Sequence, residues 1–295
     1  MFWTRLISGI SLVILALITI MAGNGVLAVT LCLISLIAYR ELTKACDVHT
    51  ESRKCNAPEL AGMAMTVIYY GFLAVMLYGG ANGDSGNGGL TQVYPLVMIV
   101  TVVSLLLYLF IYVFTFPVYK APQIMAAMFS WLYAPLMLSF IYLIREGFVY
   151  GKYLVWLVFL CSWGSDTCAY AVGVLFGKHK MTPKLSPKKS VEGAVGGVVG
   201  AALLFVLYTH LVVNQYTDTT IPLLLSAVLG ALGALVSMVG DLAASAIKRD
   251  HNIKDYGKLI PGHGGIMDRF DSVIVSAPLI FIGLIIIVKV SGAVL

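Results

Sequence analysis

Two aspartates stand inside long apolar runs of this sequence. Asp166 lies in Cys-Ser-Trp-Gly-Ser-Asp-Thr-Cys-Ala-Tyr, and Asp241 lies in Met-Val-Gly-Asp-Leu-Ala-Ala-Ser. If these runs cross a membrane, each carboxylate costs about 2.5–3.5 kcal/mol to insert, and such residues mark ion or substrate sites by default. A structural hydrogen bond or a helix-pairing contact is the alternative for each of them.

A polar stripe follows Asp241. On a helix, Ser245 at i+4, Lys248 at i+7 and Arg249 at i+8 share the face of Asp241. Carboxylate and hydroxyl oxygens are ligands for Mg²⁺, and lysine and arginine bind phosphate oxygens. The stripe therefore indicates a metal and phosphate site, although a lysine-arginine pair that snorkels at a helix end is the alternative.

The segment 250–272 carries the next polar group. Glycines flank His263, which lets a ligand approach the backbone closely. Asp268 and Asp271 lie at the start of the last predicted helix, where they share a face and where negative charge is favourable. Capping explains one of these carboxylates, but not both with Arg269 between them. A loop joins this helix to the one that carries Asp241, so we expect Asp241 and Asp268 to converge on one ion.

A basic segment precedes both regions. Residues 178–197 contain five lysines, followed by the run Glu-Gly-x-x-Gly-Gly. Backbone amides at a glycine-rich helix start bind anions, and a triphosphate would meet Lys184, Lys188 and Lys189 there. The alternative is a loop held on the cytoplasmic side by its charge, which explains the lysines but not the glycine run.

The composition predicts an all-α polytopic integral membrane protein. The chain is 60% hydrophobic and 11% charged, whereas soluble domains carry about 25% charged residues. A spanning helix needs about 20 mostly apolar residues. Nine such segments cover residues 4–22, 25–42, 58–78, 93–116, 121–144, 152–176, 191–213, 221–244 and 273–293. We expect the first to be retained as a span, because a second apolar run follows it at once and no small-x-small cleavage site intervenes.

The basic residues predict the orientation of these spans. With nine helices, 16 lysines and arginines fall on one side of the membrane and three on the other. Cytoplasmic loops carry the excess of basic residues. We therefore expect the N-terminus in the cytoplasm and the C-terminus outside.

The polar segments resemble a known family. Ser245 through Asp271 is similar to the signature of the phosphatidate cytidylyltransferase (CDP-diacylglycerol synthase) family, bacterial type. The matching residues are Ser245, Lys248, Arg249, Lys254, Asp255, Gly257, Pro261, His263, Gly264, Gly265, Asp268, Arg269 and Asp271. Upstream, Ser-Asp-x-x-Ala-Tyr at 165–170 and Ser-Pro-Lys-Lys-Ser-x-Glu-Gly at 186–193 resemble two further elements, with Ser190 where threonine is usual. The specific resemblance covers about residues 160–275, and the N-terminal half resembles the family only as a row of hydrophobic helices.

The resemblance implies the reaction of CTP with phosphatidate to give CDP-diacylglycerol and pyrophosphate. For catalysis we predict Asp241, Ser245, Lys248, Arg249, His263, Asp268 and Arg269. For the phosphates of CTP and phosphatidate we predict Ser165, Lys184, Ser186, Lys188, Lys189, Ser190, Glu192, Lys254, Asp255, Gly264 and Gly265. For Mg²⁺ we predict Asp166, Asp241, Asp268 and Asp271, with a second cation, for example a monovalent one, as a further expectation.

The resemblance also implies partners and location. The expected partners are CTP, phosphatidate, the bilayer and, on the resemblance alone, a second copy of the chain as a homodimer; no nucleic-acid partner is expected. We place the protein in the inner membrane with its active site facing the cytoplasm. Residues 1–150 are predicted to form a scaffold for dimer and lipid contacts, and residues 151–295 the catalytic part.

Two other functions remain open at this point. One is a cytidylyltransferase for another lipid phosphate, because the signature fixes the nucleotide chemistry better than the lipid. The other is an ion-coupled transporter that uses Asp166 and Asp241 as a relay. Transporters commonly carry interrupted helices in both halves. Here the polar motifs crowd the C-terminal half, which disfavours the transporter.

Overall fold

The structure, a computed structural model, describes residues 2–48, 56–80, 88–217, 220–262 and 264–291. The chain forms two compact units. Unit 1 comprises Met1–Gly147 and Ile253–Arg269, and unit 2 comprises Phe148–Asn252 and Phe270–Leu295. The functional division into 1–150 and 151–295 stays a prediction.

Unit 1 is built from the N-terminal helices. They are α1 (Phe2–Ala22), α2 (Asn24–Ala45), α3 (Ala57–Gly80), α4 (Gly88–Thr115) and α5 (Ala121–Gly147). Helix α5 widens into a π-helical turn at Leu132–Leu136, which contains Pro135. A proline removes one backbone N–H, and a wider turn is one way in which a helix accommodates it.

Tyrosines tie the helices of unit 1 together through buried hydroxyls. The hydroxyl of Tyr39 on α2 lies 3.0 Å from that of Tyr108 on α4, and Tyr69 on α3 lies 2.9 Å from the Ser139 hydroxyl on α5. A polar group that is buried in an apolar environment is costly unless it is hydrogen-bonded. These pairs therefore fix how the helices of this unit pack.

Unit 2 contains α6 (Gly151–Phe176), α7 (Val191–Tyr216) and α8 (Leu223–Asp250). A short antiparallel hairpin of β1 (Lys180–Thr182) and β2 (Ser186–Ser190) joins α6 to α7. Helix α9 (Met267–Ser291) begins in unit 1 and continues in unit 2. In the part of unit 2 that is described, α7 has extensive contacts with both α6 and α8.

The predicted all-α polytopic membrane class is confirmed. Among the described residues, eight helices are long and apolar enough to cross a membrane, and the described apolar part of α1 is the shorter helix Ser8–Ala22. The count of nine spans and the orientation of the termini stay predictions.

Two features of the polar segments differ from the sequence-based expectation. Helix α8 continues to Asp250 and α9 starts at Met267, so the connection between them is shorter than predicted. Lys248 and Arg249 lie in the last turn of α8, where positive charge is favourable. The polar stripe that begins at Asp241 is therefore part of the helix, whereas the predicted span ended at residue 244. The hairpin was not predicted, because its strands are too short and polar to show a periodic pattern.

Candidate active site

A cavity of about 490 Å³ lies in unit 2 among α6, the hairpin, the start of α7 and α8. We call it the lysine cavity. Six residues predicted from the sequence line it: Ser165, Asp166, Lys188, Lys189, Ser190 and Asp241. The first two come from α6, the next three from β2, and the last from α8. The structure thus brings together three motifs that are far apart in the sequence.

An ion pair connects the hairpin to α8 in this cavity. The ammonium of Lys189 contacts Oδ2 of Asp241, and the two side chains are 25% and 27% exposed. Partly buried opposite charges attract more strongly than surface pairs because water screens them less. In this conformation the positive charge of Lys189 and the negative charge of Asp241 neutralise each other.

Asp271, on α9, adds a third predicted metal-binding carboxylate to unit 2. It is only 8% exposed, and its Oδ1 accepts the Ser272 N–H at 2.8 Å. The carboxylate interacts electrostatically with Asp241, Lys248 and Asp166. Three predicted carboxylates and one predicted cation therefore belong to the same charged cluster.

These carboxylates fit Mg²⁺ by their chemistry. Within the described ranges, no three His, Cys, Asp or Glu side chains lie close enough to hold one metal ion between them. Mg²⁺ does not require such a cage, because it keeps several waters and is usually held by one or two carboxylates together with substrate phosphates. Asp241 and Asp271 match that donor set, and both lie in one unit.

Two predicted substrate residues hold the backbone around the lysine cavity. The Ser190 hydroxyl caps α7 by accepting the Gly193 N–H at 3.1 Å. The Glu192 carboxylate accepts the backbone N–H groups of Lys178 and His179 at 3.1 and 3.2 Å, and its Oε1 lies 2.6 Å from Nδ1 of His179. These bonds connect the chain after α6 to the start of α7, and so set the position of the hairpin.

The glycine run at the start of α7 packs this helix closely on α6. A Cβ at Gly193 would lie 2.7 Å from the Ala169 carbonyl oxygen, and one at Gly197 would lie 3.1 Å from the Ser165 carbonyl oxygen. The sequence interpretation assigned these glycines to anion binding. The structure gives them a packing role that places Ser165 and Asp166 beside the hairpin.

A second cavity, of about 550 Å³, lies in unit 1 within the loop 253–266, which we call the signature loop. This loop cavity is lined by Lys254, Asp255, Lys258, Gly264 and Arg269, among others. Four of these five were predicted from the signature, and Lys258 adds a third cation. A concave surface with three cations and several glycine backbones suits a phosphate-bearing ligand.

Asp268 holds the signature loop in this conformation. Its Oδ2 accepts the backbone N–H groups of Tyr256 at 2.8 Å and Gly265 at 3.0 Å, and the residue is 7% exposed. The role of Asp268 as a metal ligand stays a prediction. His263 lies outside the described residues.

Comparison with known proteins decides the family. The model of the cytidylyltransferase family matches residues 3–287, which is nearly the whole chain. The chain belongs to the cytidylyltransferase family. The match includes the N-terminal helices, which the sequence motifs did not reach.

Curated relatives carry a more specific name. The chain is 34% identical over 164 residues to a phosphatidate cytidylyltransferase of Staphylococcus saprophyticus subsp. saprophyticus, covering 53% of this chain and 61% of the relative. It is 41% identical over 145 residues to one of Synechocystis sp., covering 49% and 47%. It is 38% identical over 127 residues to one of Mycobacterium bovis, covering 43% and 40%. The matched part thus spans about half the length of these curated relatives.

Some predicted residues of this cytidylyltransferase-family chain lie away from both cavities. Lys184 is exposed in the turn of the hairpin and Ser186 begins β2, and neither lines the lysine cavity. Ser245 is partly buried and Arg249 exposed on α8, and Gly265 belongs to the signature loop but does not line its cavity. Their functional roles stay predictions.

Besides Lys258, three residues at these sites were missed by sequence reasoning. Lys180 and Tyr170 line the lysine cavity, and both had been noted only as part of a motif or a basic segment. Glu41 on α2 contacts the backbone at the start of α9. Glu41 is a carboxylate within the predicted span 25–42, so the signal that marked Asp166 and Asp241 was present there too.

Proposed function

We propose that this protein is a CTP:phosphatidate cytidylyltransferase, which makes CDP-diacylglycerol and pyrophosphate for phospholipid synthesis. The observation that carries the proposal is the family match over residues 3–287. The name of the curated relatives supports phosphatidate as the acceptor. The convergence of three motifs at the lysine cavity supplies the groups that this chemistry needs.

The reaction is a nucleotidyl transfer at the α-phosphorus of CTP. An oxygen of the phosphatidate phosphate forms the new P–O bond, the bond between the α-phosphorus and its bridging oxygen breaks, and pyrophosphate leaves with that oxygen. A phosphate monoester has a second pKa of about 6, so the nucleophile is largely ionised at neutral pH. Catalysis therefore needs positioning and charge neutralisation more than a strong general base.

The lysines of β2 are the proposed phosphate ligands in unit 2. Lys188 is exposed at the cavity, and Lys189 is held in place by Asp241. A phosphate that enters the cavity offers Lys189 a second anionic partner. Exchange of Lys189 from Asp241 to the phosphate would leave the Asp241 carboxylate to bind a cation.

Mg²⁺ is the proposed cofactor. Asp241 and Asp271 are the proposed ligands in unit 2, and the roles of Asp166 and Asp268 as metal ligands stay predictions. When bound, the ion supplies positive charge beside the phosphate oxygens. A second cation, for example a monovalent one, belongs to the proposal because these aspartates offer more carboxylate oxygens than one Mg²⁺ uses.

We further propose an inner-membrane location, a cytoplasmic active site and a homodimeric assembly. The distribution of 16 basic residues against three supports the orientation. CTP is a cytoplasmic metabolite and phosphatidate a bilayer lipid, so a site at the cytoplasmic surface meets both. The homodimer rests on the family resemblance.

Pyrophosphate release by the purified protein tests the proposal. With CTP, Mg²⁺ and phosphatidate in detergent micelles, we expect release that stops when any one of the three is omitted. Release that continues without phosphatidate would indicate a CTP pyrophosphatase and would contradict the proposal.

A further inference from the structure

Glu41 on α2 makes two hydrogen bonds to the backbone at the start of α9. Its Oε2 accepts the Met267 N–H at 2.8 Å, and its Oε1 accepts the Ile266 N–H at 3.2 Å. These residues are 225 and 226 positions away in the sequence. All three lie in unit 1, so the contact belongs to one compact unit.

Three consecutive backbone N–H groups, those of residues 265–267, donate to carboxylates in this region. The Gly265 N–H goes to Asp268, and the next two go to Glu41. The first N–H groups of a helix have no partner within the helix, and negative charge at this end is favourable. Two carboxylates of the chain itself therefore occupy the donors that a bound phosphate would otherwise have used.

Two glycines of the signature loop pack directly against the Glu41 carboxylate. A Cβ placed on Gly257 or on Gly265 would overlap its oxygen Oε1. The absence of a side chain at these positions therefore lets the loop close around the glutamate. Both glycines belong to the family signature, and the structure explains them by the close approach of Glu41 on α2.

The backbone that Glu41 binds is connected to the loop cavity through Arg269. The Arg269 N–H donates to the Ile266 carbonyl oxygen at 3.0 Å, so the residue that Glu41 holds also fixes the backbone of Arg269. Arg269 lines the loop cavity together with Lys254 and Lys258. Helix α1 adds a weaker contact, because the Ser8 hydroxyl donates to the Pro261 carbonyl oxygen at 3.3 Å.

We infer that Glu41 is a positioning residue: it fixes the signature loop and the start of α9, so that the cations of the loop cavity point at a phosphate-bearing substrate. It acts through the backbone, because both of its oxygens accept backbone N–H groups. The inference gives α2 a role in the active site that the sequence motifs leave to the C-terminal part. Its effect on turnover rests on the proposed cytidylyltransferase function.

Hydrogen–deuterium exchange of the substrate-free protein tests the positioning step without reference to activity. In Glu41→Ala, we expect the amides of Ile266 and Met267 to exchange about tenfold faster or more, because each loses its hydrogen bond to the carboxylate and hydrogen bonds to charged groups are among the stronger ones. Glu41→Gln should fall between wild type and Glu41→Ala, since one carbonyl oxygen remains as an acceptor. Unchanged exchange in both variants would overturn the inference.

Glu146 provides a matched control. Its Oε1 accepts the Asn24 N–H at 2.7 Å, so it is another carboxylate of unit 1 that binds a backbone N–H at a helix start. Glu146→Gln should leave exchange in the signature loop and turnover within twofold of wild type. A loss of loop protection in Glu146→Gln as large as that in Glu41→Gln would mean that the effect is general loosening of unit 1, which would also overturn the inference.

Turnover provides the second readout. We expect the ratio kcat/KM to fall about tenfold or more in Glu41→Ala and less in Glu41→Gln, in the order of the exchange rates. Faster exchange with turnover within twofold of wild type would contradict a positioning role. If wild type itself shows no cytidylyltransferase activity, the proposed function fails while the exchange result still decides what Glu41 holds.

A double-mutant cycle tests the packing of Gly257 against Glu41. Gly257→Ala should lower kcat/KM strongly in the wild-type background, because the new methyl group displaces the carboxylate. In the Glu41→Ala background the same change should have a smaller effect, because the carboxylate is gone and only the Gly265 Cα, 3.1 Å from the new Cβ, remains close. Equal losses in the two backgrounds would contradict direct contact.

Discussion

The ammonium of Lys189 and the carboxylate of Asp241 form an ion pair that joins the hairpin to α8. The sequence assigned these residues to different partners, a phosphate and a metal ion. In the structure each is the partner of the other, and both are only about one-quarter exposed. Removal of one member leaves the other partly buried and uncompensated, which is costly. Changes at either position should therefore affect both substrate binding and the local structure.

Lys188 and Lys189 are predicted to hold the phosphates of CTP. Replacement of both by alanine should raise the KM for CTP about tenfold or more, because each bond to a charged group contributes roughly 1.5–3 kcal/mol. The KM for phosphatidate should rise less. Steady-state kinetics with each substrate varied in turn measures both values.

Lys184 serves as the control for the two lysines. It carries the same charge in the same hairpin but does not line the lysine cavity. The sequence predicted a phosphate contact for Lys184 as well, but because Lys184 lies outside the cavity, Lys184→Ala should leave the KM for CTP within about twofold of wild type. A KM for CTP that is the same in the double variant and in Lys184→Ala would contradict phosphate binding by the hairpin, and its lysines would then only set the membrane orientation.

Asp241 and Asp271 are predicted to act together on Mg²⁺. Each Asp→Asn change should remove most turnover, because asparagine keeps the shape and one acceptor oxygen but loses the charge that holds the metal. The double variant should be little worse than the worse single one, since residues that act as a unit are strongly non-additive. Turnover is measured across a range of Mg²⁺ concentrations.

Asp250 is the control for these aspartates, because it is exposed at the end of α8 and lies in neither cavity. Asp250→Asn should retain near wild-type turnover. Losses at Asp241 and Asp271 that multiply in the double variant would show independent roles and would contradict a shared ion.

Much of this fold could be predicted from the sequence. The apolar runs predicted the membrane helices because a span needs about 20 such residues, whatever packs beside it. The motifs predicted Asp166, Lys189 and Asp241, because a charged residue in an apolar or glycine-rich segment indicates a functional site. These are local signals that a single segment carries alone.

The rest depended on tertiary contacts that no local pattern encodes. Glu192 binds the backbone of Lys178 and His179 beside the hairpin, and such bonds leave no periodic signal in the sequence. Glu41 contacts the backbone of a loop more than 200 residues away, and nothing in its own segment identifies that partner. The glycines of α7 look like an anion site in sequence, but α6 lies directly against them.

The packing of α7 on α6 predicts a stability effect at Gly193. A Cβ there would lie 2.7 Å from the Ala169 carbonyl oxygen, so Gly193→Ala should lower stability by about 1–3 kcal/mol through overpacking. Gly71 on α3 is the control, because a Cβ there meets no atom within 4 Å. Thermal unfolding in detergent measures both variants. Equal midpoints for Gly193→Ala and Gly71→Ala would contradict the close approach of the two helices.

The nine-helix topology predicts which loops a membrane-impermeant thiol reagent can reach. Single cysteines at Lys184 and Lys254 should react only from the cytoplasmic side. Single cysteines at Asn87 and Thr217 should react only from outside. Labelling of the Lys184 and Thr217 positions from the same side would refute the predicted topology.

Transfer of the cytidylyl group to phosphatidate is the central claim, and the labelled product tests it most directly. Purified protein is incubated with cytidine-labelled CTP, Mg²⁺ and phosphatidate, and the lipids are separated by chromatography. We predict one labelled lipid that migrates with CDP-diacylglycerol, in equal amount to the pyrophosphate released, and none with Asp241→Asn. Pyrophosphate without a labelled lipid, or a labelled lipid formed only from a different lipid phosphate, would contradict the claim.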